Sequence, residues 1–85
     1  MIDELCLMDL LKEERDAVLK YNAIMSGIEY DMKLRYISIN EEPENRDFLE
    51  KFYDEEISRQ LERKVEAEKK IKESRQRIKE YFSRL

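Results

Sequence analysis

The sequence predicts an all-α protein in which two long helices fold back on each other as an antiparallel, coiled-coil-like hairpin. Three observations support this fold class. Charged residues make up 45% of the chain, which has one glycine and one proline, a composition typical of long helices. Apolar residues recur in steps of three and four on both sides of residue 40, as they do on one face of a helix. The pattern is interrupted at one place, around the single proline, Pro43.

The 85 residues are expected to form a single domain, residues 1–85. A domain of this size buries a modest share of its surface on folding, and a two-helix hairpin has one seam between its helices. We therefore expect a second chain to contribute, either as a four-helix bundle dimer or as another protein on which the hairpin docks.

The first predicted helix covers about residues 3–36. Gly27 interrupts it at a cost of about 1 kcal/mol relative to alanine, which a long helix tolerates, although a glycine also allows a bend or a close approach. The apolar side chains of this helix cover a face wider than one narrow seam, so we expect part of that face to meet a partner.

The turn is predicted at about residues 37–45, because Pro43 cannot lie inside a helix and disfavours the α conformation of Glu42. Asn40 and Asn45 are both candidates for the N-cap of the second helix, whose start we expect between residues 40 and 46. A short extended piece at residues 34–39 is the alternative, but the chain offers no second strand to pair with it.

The second predicted helix covers about residues 46–84 and contains neither glycine nor proline. Written as heptads, one seam position holds Ile57, Lys64, Ile71, Ile78 and Leu85, and the other holds Leu61, Glu68, Arg75 and Phe82. Three charged residues make this seam thin, which disfavours a strong parallel zipper. Folding the chain at about residue 40 would place residue i opposite residue 81 − i, so that Leu11 lies near Ile71.

Charge is distributed unevenly along the chain. Residues 1–58 carry a net charge of −9, whereas residues 59–85 carry +5. One basic row recurs every seven residues and makes nucleic-acid binding the alternative function: Arg63, Lys70, Arg77 and Arg84. Glutamates four residues before a basic side chain are expected to neutralise part of this row, in the pairs Glu66–Lys70, Glu73–Arg77, Glu80–Arg84 and Glu68–Lys72.

The chain lacks residues that several kinds of chemical site require. The chain has no histidine and one cysteine, Cys6, so we expect no metal site, and one glycine cannot form a glycine-rich phosphate loop. We therefore predict no catalytic residue, cofactor or small-molecule substrate. No membrane partner is expected, and the acidic N-terminus and single cysteine favour a cytoplasmic protein.

The remaining expectation is a protein–protein interaction or assembly module, such as an adaptor, a small chaperone or a regulator, that acts through a helical face. Its partner would be another protein or a second copy in a homodimer. An adaptable groove could be formed by Met8, Met25 and Met32 with Tyr21 and Phe52, although their helical spacing favours a place in the core. The candidate partner or dimer face comprises Leu7, Leu10, Leu11, Val18, Tyr21, Ile24, Met25, Ile28 and Met32.

Overall fold

The computed structural model describes residues 4–85, with side chains from residue 6 onward. It contains two helices of equal length, α1 (Glu4–Glu41) and α2 (Arg46–Ser83), joined by a short 3₁₀ turn, Pro43–Asn45. The two helices pack against each other along their length and form a rod of 67 × 15 × 12 Å. The prediction of two long helices in an antiparallel hairpin is confirmed.

The turn is shorter than predicted, because α1 continues to Glu41 instead of ending at about residue 36. The amide of Glu42 still donates to the Ser38 carbonyl at 2.9 Å, so helical hydrogen bonding persists through this segment. The extended alternative at residues 34–39 is wrong, since packing overrides the strand preference of isolated residues. The predicted start of the first helix, at about residue 3, lies outside the described residues.

Pro43 ends the first helix in the expected way. Glu42, the residue before it, leaves the α region with φ −128° and ψ 65°. Asn45 occupies the N-cap position of α2, but its side chain makes no capping hydrogen bond. Asn40, the other candidate cap, lies inside α1. The start of α2 therefore depends on backbone geometry and on Asp47 in its first turn.

The seam between the helices consists of buried and half-buried side chains that recur every three and four residues. On α1 they are Leu7, Leu10, Glu14, Ala17, Tyr21, Ile24, Ile28, Asp31, Arg35 and Ser38. On α2 they are Tyr53, Ile57, Gln60, Lys64, Ala67, Ile71, Ser74, Ile78 and Tyr81. Within the part of the chain that is described, Ile28, Ala67 and Ser74 are the residues less than a tenth exposed, at 6%, 3% and 3%.

The predicted seam of α2 is wrong at one of its two heptad positions, and at the last residue of the other, Leu85, which is 63% exposed and follows the end of the helix. Leu61 and Phe82 are 45% and 52% exposed. Of the two charged residues predicted between them, Glu68 is half-buried and Arg75 is exposed. The prediction followed the large apolar side chains. The seam instead uses the residues one position earlier, where small side chains such as Ala67 and Ser74, each 3% exposed, allow the two helices to approach closely.

Cross-helix contacts fix the register. Ion pairs join Arg35 to Asp54 at 2.9 Å and Arg75 to Glu14 at 3.3 Å, and the Ser38 and Tyr53 hydroxyl groups lie 3.3 Å apart. Facing residue numbers therefore add to about 89 to 91, not to 81. The predicted register was wrong by between two and three turns, at about 3.6 residues per turn, because the longer α1 moves the fold point toward the C-terminus.

Candidate protein-binding face

A second row of apolar side chains runs along α1 beside the seam. We call this row the second stripe. Its five members are spaced by seven residues, which places them on one side of the helix with a drift of only ~20° per repeat: Leu11, Val18, Met25, Met32 and Ile39. Leu11 and Met32 are 46% and 56% exposed, and the other three are half-buried. The hairpin thus covers this row only along one edge.

Further apolar side chains border the second stripe. Met8 and Tyr36, at opposite ends of α1, are 64% and 72% exposed. On α2, Arg75 lines one shallow groove together with Leu11 and Val18, so the α2 row that contains Arg75 flanks the stripe. That row also carries Leu61 and Phe82. We define the apolar face as the second stripe together with Met8, Tyr36, Leu61 and Phe82.

The structure divides the predicted partner face into two groups. Five of its residues contribute to the seam within the hairpin: Leu7, Leu10, Tyr21, Ile24 and Ile28. The other four belong to the second stripe: Leu11, Val18, Met25 and Met32. The core interpretation of the methionines is wrong for Met8 and Met32, which are mostly exposed. Neither side chain belongs to the seam between the two helices.

The predicted partner face lacks five residues of the apolar face: Met8, Tyr36 and Ile39 on α1, and Leu61 and Phe82 on α2, which were predicted in the seam. The signal for Ile39 was present, since the seven-residue spacing from Leu11 reaches it without a gap. The predicted turn at residues 37–45 removed Ile39 from the helix and thereby concealed the last repeat. Met8 and Tyr36 lack such a signal, because the intervening residues at their spacing are polar.

Those polar residues form a row next to the second stripe, namely Arg15, Asn22 and Glu29. All three are exposed, and they lie on α1 seven residues apart. Among the residues that the structure describes, neither Arg15 nor Glu29 takes part in an ion pair. The face therefore carries one cation toward its N-terminal end and one anion toward the turn.

The basic row lies on the opposite side of the seam. Arg63 and Lys70 line an open groove of about 670 Å³ with Lys20 and Arg59, and two glutamates, at positions 62 and 66, line it as well. Arg77 pairs across the helices, with its Nη2 3.2 Å from Glu13 Oε2. Arg84 is exposed near the C-terminus.

The glutamate pairs predicted within α2 are wrong. Among the described residues, none of the four predicted pairs forms an ion pair. Glu68 lies 3.7 Å from Lys64, and Glu80 accepts a hydrogen bond from Gln76 at 3.4 Å. Exposed ion pairs differ little from one another in free energy. An arginine such as Arg77 can therefore pair with a glutamate on the other helix as readily as with one on its own helix.

Aromatic and charged side chains surround the turn. Phe48 and Phe52 stack with ring centroids 6.2 Å apart, and both are more than half exposed. The hydrogen bond from Arg46 Nε to Glu50 Oε1, 2.8 Å long, raises the pKa of Arg46 above its usual value. These contacts stabilise the first turns of α2 next to the polar end of the seam.

Two other kinds of site are absent from residues 4–85. Neither α1 nor α2 holds a segment that is both long and apolar enough to cross a bilayer. No group of three or more cysteine, aspartate or glutamate side chains in this range is arranged to bind a metal ion.

Comparison of the chain with protein-family models, with curated proteins and with solved structures finds no match.

Proposed function

We propose that this protein is a protein–protein interaction and assembly module that binds a partner helix along the apolar face of α1. The observation that carries this proposal is the second stripe, whose apolar side chains remain partly exposed over five consecutive heptads. Contiguous apolar patches of this length are rare on soluble monomers and mark interaction surfaces. The proposal involves no catalytic step.

The dimensions of the apolar face indicate the kind of partner. From Leu11 to Ile39 the second stripe extends for about 42 Å along the helix axis, which matches a helix of about 28 residues. Met25 and Met32 lie at its centre, and flexible thioether side chains adapt to the shape of an apposed helix. A partner that presents an apolar row at the same seven-residue spacing would form a further coiled-coil-like seam with α1.

The surface area of the hairpin supports a partner of this size. The chain exposes 6951 Å², whereas a compact monomer of 10.5 kDa is expected to expose about 5,400 Å². The excess is about 1,500 Å², roughly twice the area that each partner buries in an interface of standard size. A partner helix along α1 would cover much of this excess.

Site-specific photo-crosslinking tests the proposal in the native cell extract. A benzophenone side chain replaces Met32 in one variant and Tyr30 in a matched control. These residues are 56% and 63% exposed, but they lie about 160° apart around α1. We expect position 32 to crosslink to a polypeptide, either this chain itself or another protein, at several times the yield of position 30.

Equal crosslinking yields at the two positions would contradict the proposal, because random collisions with other proteins would label both sides of the helix equally. Met32→Glu provides a second measure. It places a charge on the apolar face without touching the seam, so we expect unchanged helicity by circular dichroism and loss of the crosslink from a benzophenone at Met25.

Nucleic-acid binding is the second candidate function, and the groove lined by Lys20, Arg59, Arg63 and Lys70 supports it. Two glutamates in the same groove and the Glu13–Arg77 ion pair reduce its positive potential. Titration with RNA and DNA oligonucleotides over a salt series decides between the candidates. Affinity that falls steeply with salt, and is lost in Arg63→Glu/Lys70→Glu, would favour nucleic acid.

A further inference from the structure

The apolar face of α1 has a pattern that complements itself when reversed. Apolar residues occupy both ends, with Met8 and Leu11 near the N-terminus and Tyr36 and Ile39 near the turn. Between the ends, Arg15 and Glu29 stand at equal distances on either side of Asn22. We propose that the partner helix is α1 of a second copy, bound antiparallel across a two-fold axis near residues 22–25. This inference rests on the proposed function and names its partner.

The antiparallel arrangement joins the apolar ends of the face and brings its opposite charges close together, while Val18, Met25 and Met32 lie level with the partner copy's Glu29, Asn22 and Arg15 at its centre. With the axis between residues 23 and 24, Leu11 lies level with the partner copy's Tyr36, and Met8 with the partner copy's Ile39. Arg15 then lies within one helical turn of the partner copy's Glu29, about 4.5 Å along the axis, and the same pair repeats across the two-fold. Both charged groups are exposed and without an ion pair among the described residues.

A parallel arrangement lacks this complementarity. Each residue would then face its own copy, so that Arg15 would meet Arg15 and Glu29 would meet Glu29. Like charges in contact oppose association. The charge pattern of the face therefore distinguishes the two orientations, although its apolar residues would accept either.

The charge of the whole hairpin favours the same orientation. Residues 30–58, which form the half near the turn, carry a net charge of −5, whereas the half that contains residues 1–29 and 59–85 carries +1. An antiparallel pair places each acidic half beside the slightly basic half of the other copy. A parallel pair would place the two acidic halves side by side. Their electrostatic repulsion would oppose association, and it would be stronger at low salt because fewer ions screen it.

The position of the two-fold axis gives a closed dimer. It passes close to the midpoint of α1 (Glu4–Glu41), so the two rods overlap over their full length and leave no free apolar end for a third copy. The two α1 helices lie at the centre, and each α2 lies outside them. The result is a four-helix bundle in which the second stripe becomes an interior seam.

Charge reversal at Arg15 and Glu29 tests both the partner and the orientation. Analytical ultracentrifugation of the purified chain gives the dimer dissociation constant for the wild type, Arg15→Glu, Glu29→Arg and the double variant. Each single variant introduces two like-charge contacts in the antiparallel dimer, so we expect its dissociation constant to rise at least about tenfold. The double variant restores both pairs and should return to within about threefold of the wild type.

Two controls separate this effect from a general effect of net charge. Lys69→Glu and Glu55→Arg produce the same changes in net charge as Arg15→Glu and Glu29→Arg, and both residues are exposed and lie on α2, outside the apolar face. We expect neither to change the dissociation constant by more than about threefold. Circular dichroism of every variant establishes that the helices remain formed.

The outcomes distinguish failure of this inference from failure of the proposed function. A chain that stays monomeric up to millimolar concentration overturns self-association, while a position-specific crosslink to a different protein would still support the interaction module. A dimer whose single variants dissociate no more readily than the wild type, or whose double variant does not recover, overturns the antiparallel pairing.

Discussion

Gly27 lies in the middle of α1, on the side that faces α2. A β-carbon added there would lie 3.7 Å from Gln60 Nε2, an ordinary van der Waals distance, and the glycine does not have a positive φ. Gly27→Ala therefore removes backbone freedom from the unfolded chain without a steric conflict. We expect the free energy of unfolding to rise by about 1 kcal/mol, as measured by urea denaturation at fixed protein concentration.

Ala23→Gly is the matched control for this change, since Ala23 is an exposed residue on the same helix. We expect it to lower the free energy of unfolding by a similar amount. If Gly27→Ala instead destabilises the protein, the two helices approach more closely at this point than 3.7 Å implies, and the glycine serves helix packing.

At the scale of residues, the sequence predicted half of the α2 seam. The position that holds Ile57, Ile71 and Ile78 was assigned correctly because large apolar residues there recur at seven-residue intervals. The other position was missed, since Gln60 and Ser74 are polar and carry no hydrophobic signal. Such residues can lie in a seam when close helix approach shields them, and that approach depends on the partner helix.

At the scale of elements, the end of α1 is the feature that sequence reasoning placed least well. Pro43 placed the turn too early along the chain, and Ile37 and Ile39 supported the extended alternative at residues 34–39, although they lower helix propensity only slightly, by a few tenths of a kcal/mol each. Contacts with α2 offset this difference. The Ser38 and Tyr53 hydroxyl groups lie 3.3 Å apart, and Arg35 pairs with Asp54. Neither contact can be identified before the register is known.

Substitution of Asn40 tests whether this residue caps the second helix or lies inside α1. The two positions predict changes of opposite sign in the free energy of unfolding. As the N-cap of the second helix, Asn40→Ala would cost about 0.5 to 2 kcal/mol. As an exposed residue inside α1, the same change improves helix propensity, and we expect a gain of about half a kcal/mol. Thermal and urea denaturation of the variant decide between them.

Asn45→Ala completes this test at the true N-cap. Its side chain makes no capping hydrogen bond, so we expect the free energy of unfolding to fall by less than about 0.5 kcal/mol, below the usual effect of losing a cap. A loss of 1 kcal/mol or more would show that the Asn45 amide group caps α2 in solution.

At the scale of the whole molecule, the hairpin is far more extended than a globular domain. Its radius of gyration is 19.2 Å, compared with about 12 Å expected for a compact domain of this length. The sequence correctly indicated two helices and a thin seam. It did not indicate the side on which the remaining apolar surface lies, because that depends on which residues α2 covers.

Small-angle X-ray scattering tests the closed dimer. Since the proposed two-fold axis lies near the middle of α1, the dimer should have a maximum dimension close to the 67 Å length of one hairpin. The mass should be that of two chains, and the melting temperature should rise with protein concentration. A maximum dimension above about 100 Å would instead indicate end-to-end or staggered association.

The position of the turn also determines how the hairpin responds to mechanical load. Because the helices are antiparallel, residue 4 and Leu85 lie at the same end of the rod, opposite Glu42. Tension between the two chain ends would therefore peel α1 from α2 one layer at a time, starting at Leu7 and Tyr81. Tension between the turn and either end would shear all layers at once, and the hairpin should resist a larger force in that direction.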